Sequence, residues 1–260
     1  MKFHPGILKA PLFLFVASAV GLPQDSGRLS DVNAHAWYMY FGDHSFTDKS
    51  PWGLHFDGQV RRQGIGQKWQ QLLLRPGINY NFTENLQVSS GYAFIKSHPY
   101  GDLPAPFTTP EHRLWQQLIV KHKAGQVGLT HRYRVEQRFV GIKVPNDNGR
   151  GRLDRYDYRN RFRYFLKGVI PVARDTQGRN KYYVGLYNEF MLNFGAGLRN
   201  NIFDQNRAYA ALGFRLPKLG NLEVGYLHQT VQQGNGRVIE YNHTFQVGFF
   251  STAPFKRVDD

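Results

Sequence analysis

From residue 34 onward, apolar and polar positions alternate with period two. Ile239, Tyr241, Phe245, Val247 and Phe249 fall on one parity, with His243 the one polar exception, and Glu240, Asn242, Thr244, Gln246 and Gly248 on the other. The same alternation runs through 72–82, 127–139 and 182–194. A repeat of two over ten or more residues marks an extended strand with unlike faces, and no stretch sustains the 3.6 repeat of an amphipathic helix. The pattern predicts strands near 34–46, 52–62, 68–82, 86–97, 111–122, 126–140, 156–170, 181–194, 205–216, 221–232 and 237–250. Each is longer than the five or six residues usual in soluble sheets, and long enough for the roughly 9–11 that a tilted membrane strand needs.

The connections differ in length. Thr47–Pro51, Thr83–Asn85, Lys123–Gly125 and Pro217–Gly220 are short, and Ala173–Asn180 somewhat longer, whereas Ser97–Pro110, Gly141–Arg155 and Gly195–Asp204 are long. Aromatics gather near strand ends, at Trp37, Trp52, Trp69, Phe82, Phe139, Phe194 and Phe249. Long strands, tight turns on one side, loops on the other and aromatic girdles together predict an all-β, membrane-spanning, antiparallel up-and-down β-barrel. A soluble sandwich or lipocalin-like barrel also alternates, but does not account for the strand length and the turn asymmetry. Eleven segments is an odd number where bacterial single-chain barrels are even. The expectation is therefore about twelve strands (10–12), with residues 20–33 either a periplasmic N-terminal segment or a further strand.

The first residues have another character. Lys2 and Lys9 precede an uncharged, mostly apolar run from Ala10 to Leu22, and Ala17-Ser18-Ala19 has the small residues of a cleavage site. This predicts a secretory signal peptide over 1–19. The barrel then covers 34–251 and a tail 252–260. Export without a single cysteine among 260 residues fits a bacterial envelope and excludes disulfides, thiolate metal sites and thiol catalysis. Localisation in the bacterial outer membrane follows.

Several stretches carry a resemblance. They are Trp52-Gly-Leu-His-Phe-Asp-Gly-Gln-Val-Arg61, Leu74-Arg-Pro-Gly-Ile-Asn-Tyr80, Gly91-Tyr-Ala-Phe-Ile95, His131-Arg-Tyr-Arg-Val-Glu-Gln-Arg-Phe139, Asn206-Arg-Ala-Tyr-Ala-Ala-Leu-Gly-Phe214 and Leu222-Glu-Val-Gly-Tyr226. Over roughly 34–251 the chain resembles the bacterial domain-of-unknown-function 2490 family, whose members are predicted outer-membrane β-barrels. The resemblance implies fold and location, and carries no activity or ligand. The tail Ser251–Asp260 departs from the terminal aromatic on which many such barrels end.

Chemical motifs are sparse. No phosphate-binding loop, dinucleotide fingerprint, HExxH or GxSxG occurs. His112, His122 and His131 lie on neighbouring strands without clustered carboxylates, so no metal or cofactor is implied. His44-Ser45 and His98 near strand ends lack the third member of a hydrolytic triad, and residues 146–154 do not have the spacing of a calcium loop. No catalytic residue, and no enzyme, is inferred.

Arginine is the distinctive feature. The formal net charge is +14. By parity the polar face collects Arg61, Arg75, Arg113, Lys121, Arg132, Arg134, Arg138, Arg159, Arg161, Arg163, Lys167, Arg207 and Arg215, against Asp57, Glu111, Glu136, Glu189, Glu223 and Glu240. An arginine facing lipid at the midplane costs about 2–4 kcal/mol, so this face must line the lumen. Arg132, Arg134, Arg138, Arg159, Arg161 and Arg163 are the candidate anion-binding set, with Glu111, Glu136, Glu189, Glu223 and Glu240 as acidic partners. If cross-strand pairs sum to about 295, Arg134 lies opposite Arg161, Arg132 opposite Arg163 and Glu136 opposite Arg159. The expectation is a small channel or binding barrel for anionic solutes. The alternative is a structural or interaction barrel plugged by arginine–carboxylate networks. A lipid-modifying barrel enzyme and a soluble nucleic-acid binder, suggested by the arginines and aromatics of Tyr156–Phe165, rank lower, because the exported N-terminus opposes a cytosolic role. The implied partners are outer-membrane lipid, the barrel-assembly machinery and small anionic solutes, not nucleic acid.

Overall fold

The structure, a computed structural model, describes residues 28–256 except 196, 197, 199, 200 and 218. The signal peptide expected over 1–19 lies outside the described residues. Eleven strands form one closed barrel: β1 (Leu29–Ser45), β2 (Trp52–Gln63), β3 (Lys68–Thr83), β4 (Leu86–Ser97), β5 (Thr109–Ala124), β6 (Val127–Pro145), β7 (Gly151–Arg174), β8 (Asn180–Phe194), β9 (Phe203–Leu216), β10 (Gly220–Gln232) and β11 (Val238–Ser251).

Sequence neighbours pair antiparallel, and the ring closes where β1 meets β11 in parallel, with Leu29 opposite Val238 and Gly42 opposite Ser251. Parallel closure resolves the odd count, so the expected twelfth strand is not needed. It also places the start of β1 at the long-loop end and the end of β11 at the tight-turn end. Of residues 20–33, expected to be a periplasmic N-terminal segment or a further strand, 20–27 lie outside the described residues and 29–33 open β1. Past β11 the chain returns along the tight-turn rim, where Phe255 N donates to Ser45 O (3.0 Å) and Lys256 N to Phe46 O (3.2 Å).

β6 and β7 are the longest strands, at 19 and 24 residues. They run on as a paired ribbon to Pro145 opposite Gly151, so the loop expected over 141–155 shrinks to 146–150. Both sides of this ribbon tip are solvated, which erases the alternation that marks the wall. A bulge beside Ile142 and Lys143 adds to the change, and the register falls two residues from the expected one. Arg134 is opposite Arg163, Glu136 opposite Arg161, Arg138 opposite Arg159 and Arg132 opposite Phe165.

The burial pattern is inverted relative to a water-soluble domain. Val32 (63% exposed), Ile78, Leu114, Leu212, Tyr226 and Phe245 point outward and are exposed. Asp57, Arg75, Arg134, Glu136, Arg161, Glu223 and Asn242 point inward and are buried. Apolar clusters inside are small: Trp37, Tyr209, Ala211 and Leu227 on one side, Leu73, Ala93, Ile95 and Trp115 on the other. Trp37, expected at an interface, belongs to the first of these. Aromatics do band the outer rims, with Trp52 on Tyr80 (centroids 4.7 Å) and Tyr182 on Phe214 (5.9 Å) toward the tight turns, and Phe139 on Tyr158 (5.3 Å) toward the loops.

Candidate functional site: a charged lumen

Glu136, projecting inward from β6, is the centre of the charged interior. Its Oε2 accepts from Arg161 Nε at 2.9 Å and its Oε1 from Arg163 Nη1 at 2.8 Å. Arg75 Nη2 and Arg113 Nη1 approach the same carboxylate at 3.5 Å each. The carboxylate is 0% exposed, so four guanidinium groups enclose it. Glu189 on β8 accepts from Arg132 Nη2 (2.8 Å) and Arg163 Nη2 (2.7 Å), and more distantly from Arg207 Nη1 (3.4 Å). Glu111 on β5 holds Arg113 (Nε, 2.6 Å) and Arg138. Asp57 on β2 holds Arg75 (Nη1, 2.6 Å). These charge-assisted bonds cross β2, β3, β5, β6, β7 and β8, so the network ties together strands far apart in the ring.

Like charges that the register places directly opposite are separated by shared acids. Arg134 and Arg163 face each other, and Arg163 is drawn away between Glu136 and Glu189. Arg113 and Arg138 face each other and share Glu111. Arg159 stands apart near the loop rim, 3.6 Å from Asp157, where it lines a cavity of about 270 Å³ with Tyr156, Asn193 and Asn201. Of the expected acidic partners, Glu111, Glu136 and Glu189 bind arginine. Glu223 binds Lys167 and Tyr183 OH (3.0 Å) instead. Glu240 accepts from Tyr100 OH (2.7 Å) and Gln233 Nε2 (2.7 Å), with no basic partner among the described residues.

Three elements were not legible from parity. Asp204 points inward and accepts from Arg161 Nη1 at 2.6 Å. A register shift beside Met191 and Leu192 turns it in, against the odd-residue face of β9. Gln70 turns in through the shift beside Arg61 and Arg62, and its Oε1 accepts from Trp37 Nε1 at 2.8 Å. The third is the 98–108 connection, which bends into the loop mouth. There Tyr100 reaches Glu240 and packs edge-on against His35 (5.2 Å), while Asp31 accepts from the amides of Asp102 and Leu103 (3.4 Å each). Gly101, at φ +78°, passes so close to Asp31 and Asn33 that a side chain would collide with them. Burial and the Glu240 carboxylate push the Tyr100 hydroxyl pKa upward, so it remains a donor.

Two of the buried arginines stay outside the ion pairs. Among the described residues neither Arg61 nor Arg134 has a carboxylate at ion-pair distance. Arg61 bonds Gln59 and Gln71 and lies 3.8 Å above the Trp37 ring. Arg134 bonds Gln117 Oε1 and lies 5.1 Å above the Trp115 ring. An indole face attracts a guanidinium but does not neutralise it. Among the described residues the fully buried charges nearly balance, seven arginines against eight acids, and a small positive excess comes from the partly buried Arg132, Arg138 and Lys167.

On the outer face the polar side chains pair laterally. Asn188 and Asn206 exchange bonds (3.3 and 3.1 Å), Gln137 Nε2 donates to Gln116 Oε1 (3.2 Å), and Tyr226 OH pairs with His243 Nδ1 (2.6 Å). The histidines noted in the sequence are divided: His122 stacks on His131 (5.0 Å), whereas His112 sits between Tyr92 and Tyr156. Among the described residues no three His, Asp or Glu side chains are grouped to hold a metal ion. His44 bonds Tyr40 OH (2.6 Å) and Ala253 O (2.7 Å).

The architecture is thus a closed all-β barrel with an apolar outside and a charged, arginine-rich inside. The chain belongs to the family described as Protein of unknown function (DUF2490), whose sequence profile matches residues 34–240. An uncharacterized protein of Methylorubrum extorquens is 28% identical over 196 residues, covering 72% of this chain and 74% of its own. A solved structure of the NanC porin, in a rhombohedral crystal form, overlays with a TM-score of 0.43 at 10% identity, over 78% of this chain and 90% of that one.

Proposed function

We propose that this protein is a bacterial outer-membrane barrel that binds small anionic solutes in an arginine-rich lumen held closed at mid-height. The observation that carries the reading is the inversion of the wall: large apolar side chains face out along every strand while the buried residues are charged. In water such a surface would aggregate, and in hydrocarbon it is the stable arrangement. The lateral pairing of the outward Asn, Gln, His and Tyr groups supports the same solvent, because a lipid-facing polar group finds no water to bond.

Two buried arginines without a carboxylate at ion-pair distance among the described residues, Arg61 and Arg134, support anions as the solute class, since planar guanidinium groups suit carboxylates and phosphates. The Glu136 network favours a closed resting state. Its members are almost wholly buried, and parting them would expose unpaired charge. That network is equally what a purely structural, plugged barrel would contain, and conductance combined with binding separates the two readings. Fractionation should place the protein with outer membranes, and unboiled samples should run at a different mobility from boiled ones. In planar bilayers we expect little steady conductance, with any residual current reversing toward anions under a salt gradient. Cytosolic location would overturn the barrel reading. A large unselective conductance would overturn the closed lumen.

A further inference from the structure

Of the buried polar atoms without a well-aligned hydrogen bond, seven lie together on one side of the lumen, while others, among them Arg75 Nε, Arg132 Nε and Arg134 Nη1, lie by the Glu136 network. The seven are, on β1, Asn33 Nδ2 and both ring nitrogens of His35; on β9, Arg207 Nε and Tyr209 OH; on β11, Asn242 Oδ1 and Thr244 Oγ1. Strand pairing makes them neighbours. His35 is opposite Thr244 and Asn33 opposite Asn242; across β10, Leu227 links Thr244 to Tyr209 and Gln229 links Asn242 to Arg207. His35 lies in looser reach of Asn242 and the Arg62 backbone, and Tyr209 of Gln246, whereas Asn33 Nδ2, Arg207 Nε and Thr244 Oγ1 still call for a partner, since native interiors leave few such atoms.

The chemistry of that partner follows from the atoms and charges around it. All but Asn242 Oδ1 sit on side chains able to donate a hydrogen bond. Two guanidinium groups lie against the same indole, Arg61 at 3.8 Å and Arg207 at 5.1 Å from the Trp37 ring centroid. Arg61 is 6% exposed, has no carboxylate partner among the described residues, and uses three of its donors on Gln59 and Gln71. Among the described residues the only carboxylate touching Arg207 is Glu189, at 3.4 Å, and Glu189 is already shared by Arg132 and Arg163. The acids above are also engaged: Asp31 by the Asp102 and Leu103 amides, Glu240 by Tyr100, Gln233 and Asn242. Water could bond the orphan atoms but would leave Arg61 without a counter-charge at ion-pair distance.

We propose that Arg61 and Arg207, set against Trp37 beneath Tyr100, hold a small oxyanion of the carboxylate or phosphate class. This rests on the reading of the lumen as anion-binding and fixes where in it the anion sits. The test is calorimetric titration of the full chain, folded in detergent, with inorganic phosphate and with acetate at constant ionic strength. Saturable binding of either is expected, and the tighter of the two assigns the headgroup. Arg61→Gln and Arg207→Gln should each weaken it by about tenfold or more, the scale of lost bonds to a charged group. Arg179→Gln, in the exposed turn between β7 and β8, should not. Should Arg61→Gln fail to fold, Arg61→Lys keeps the charge, removes the fork and should still weaken binding. Binding that survives both glutamine variants but is lost in Arg134→Gln would overturn the site. Absence of any saturable binding in a protein that still fractionates with outer membranes would overturn it too, leaving the membrane-barrel reading intact.

Discussion

Two sides of the same lumen handle arginine in opposite ways. Around Glu136, on β3, β5, β6 and β7, four guanidinium groups converge on one carboxylate, and the further bonds of Arg161, Arg163, Arg113 and Arg75 run to Asp204, Glu189, Glu111 and Asp57. Around Trp37, on β1, β2, β9 and β11, arginine is met by an indole face and glutamine amides, with Glu189 reaching Arg207 only at 3.4 Å, and more donors are left over than the Arg75 Nε of the Glu136 cage. A matched set of buried charges fixes geometry, because losing one member strands the rest. An unmatched set is poised for something that arrives from outside. The difference assigns cohesion to one side and recognition to the other.

The largest effect that could break this division concerns Glu136. Glu136→Gln keeps the shape and removes the charge from among four guanidinium groups, so the folded barrel should lose about 3–5 kcal/mol. Urea titration of the detergent-folded protein, followed by the mobility shift, would read it. A variant as stable as the parent would mean that water, not Glu136, screens these arginines. Next come two arginines of the network region. Arg161→Ala takes the closest arginine from both Glu136 and Asp204, leaving Arg163 and the more distant Arg75, Arg113 and Arg138, and should cost about 2–3 kcal/mol, less than losing Glu136. Arg134→Ala strands no carboxylate and relieves repulsion with Arg163, so a change within about 1 kcal/mol of zero is expected. Equal losses in the two variants would erase the distinction between paired and unpaired arginine.

How much of this was legible beforehand follows from what alternation can encode. Period two states which residues share a face, and Arg134, Glu136, Arg161 and Arg163 do share the lumen. It does not encode register. The bulge beside Ile142 and Lys143 and the ribbon tip at 146–150 moved the pairing by two residues, which preserves faces but makes Arg161, not Arg159, the partner of Glu136. Nor does it survive a bulge: Asp204, read from the sequence as the end of the Gly195–Asp204 loop, opens β9 beside a register shift and is an ion-pair partner of Arg161. Strand number escaped for a different reason. Nothing local in Leu29–Ser45 states that its far neighbour is β11 and parallel. Tyr100 lies in a segment without periodicity, so its return to Glu240 had no signal.

The smallest effect asks whether the unmatched side is in use. Thr244 is 0% exposed, its hydroxyl has no well-formed hydrogen bond, and His35 is its neighbour across the parallel seam. Thr244→Val replaces the hydroxyl with a methyl group of similar size. A buried hydroxyl without a partner costs free energy, so in anion-free buffer the variant should be as stable as the parent or more stable by about 1 kcal/mol. If the hydroxyl donates to a bound oxyanion, the same change should weaken phosphate or acetate binding by a few-fold up to about tenfold. The two readings move in opposite directions: stability held or gained, affinity lost. Held stability with unchanged affinity would place Thr244 outside the anion's reach and confine recognition to Arg61 and Arg207. Lost stability in anion-free buffer would show that the hydroxyl has an internal partner, and the contrast between the two sides of the lumen would shrink accordingly.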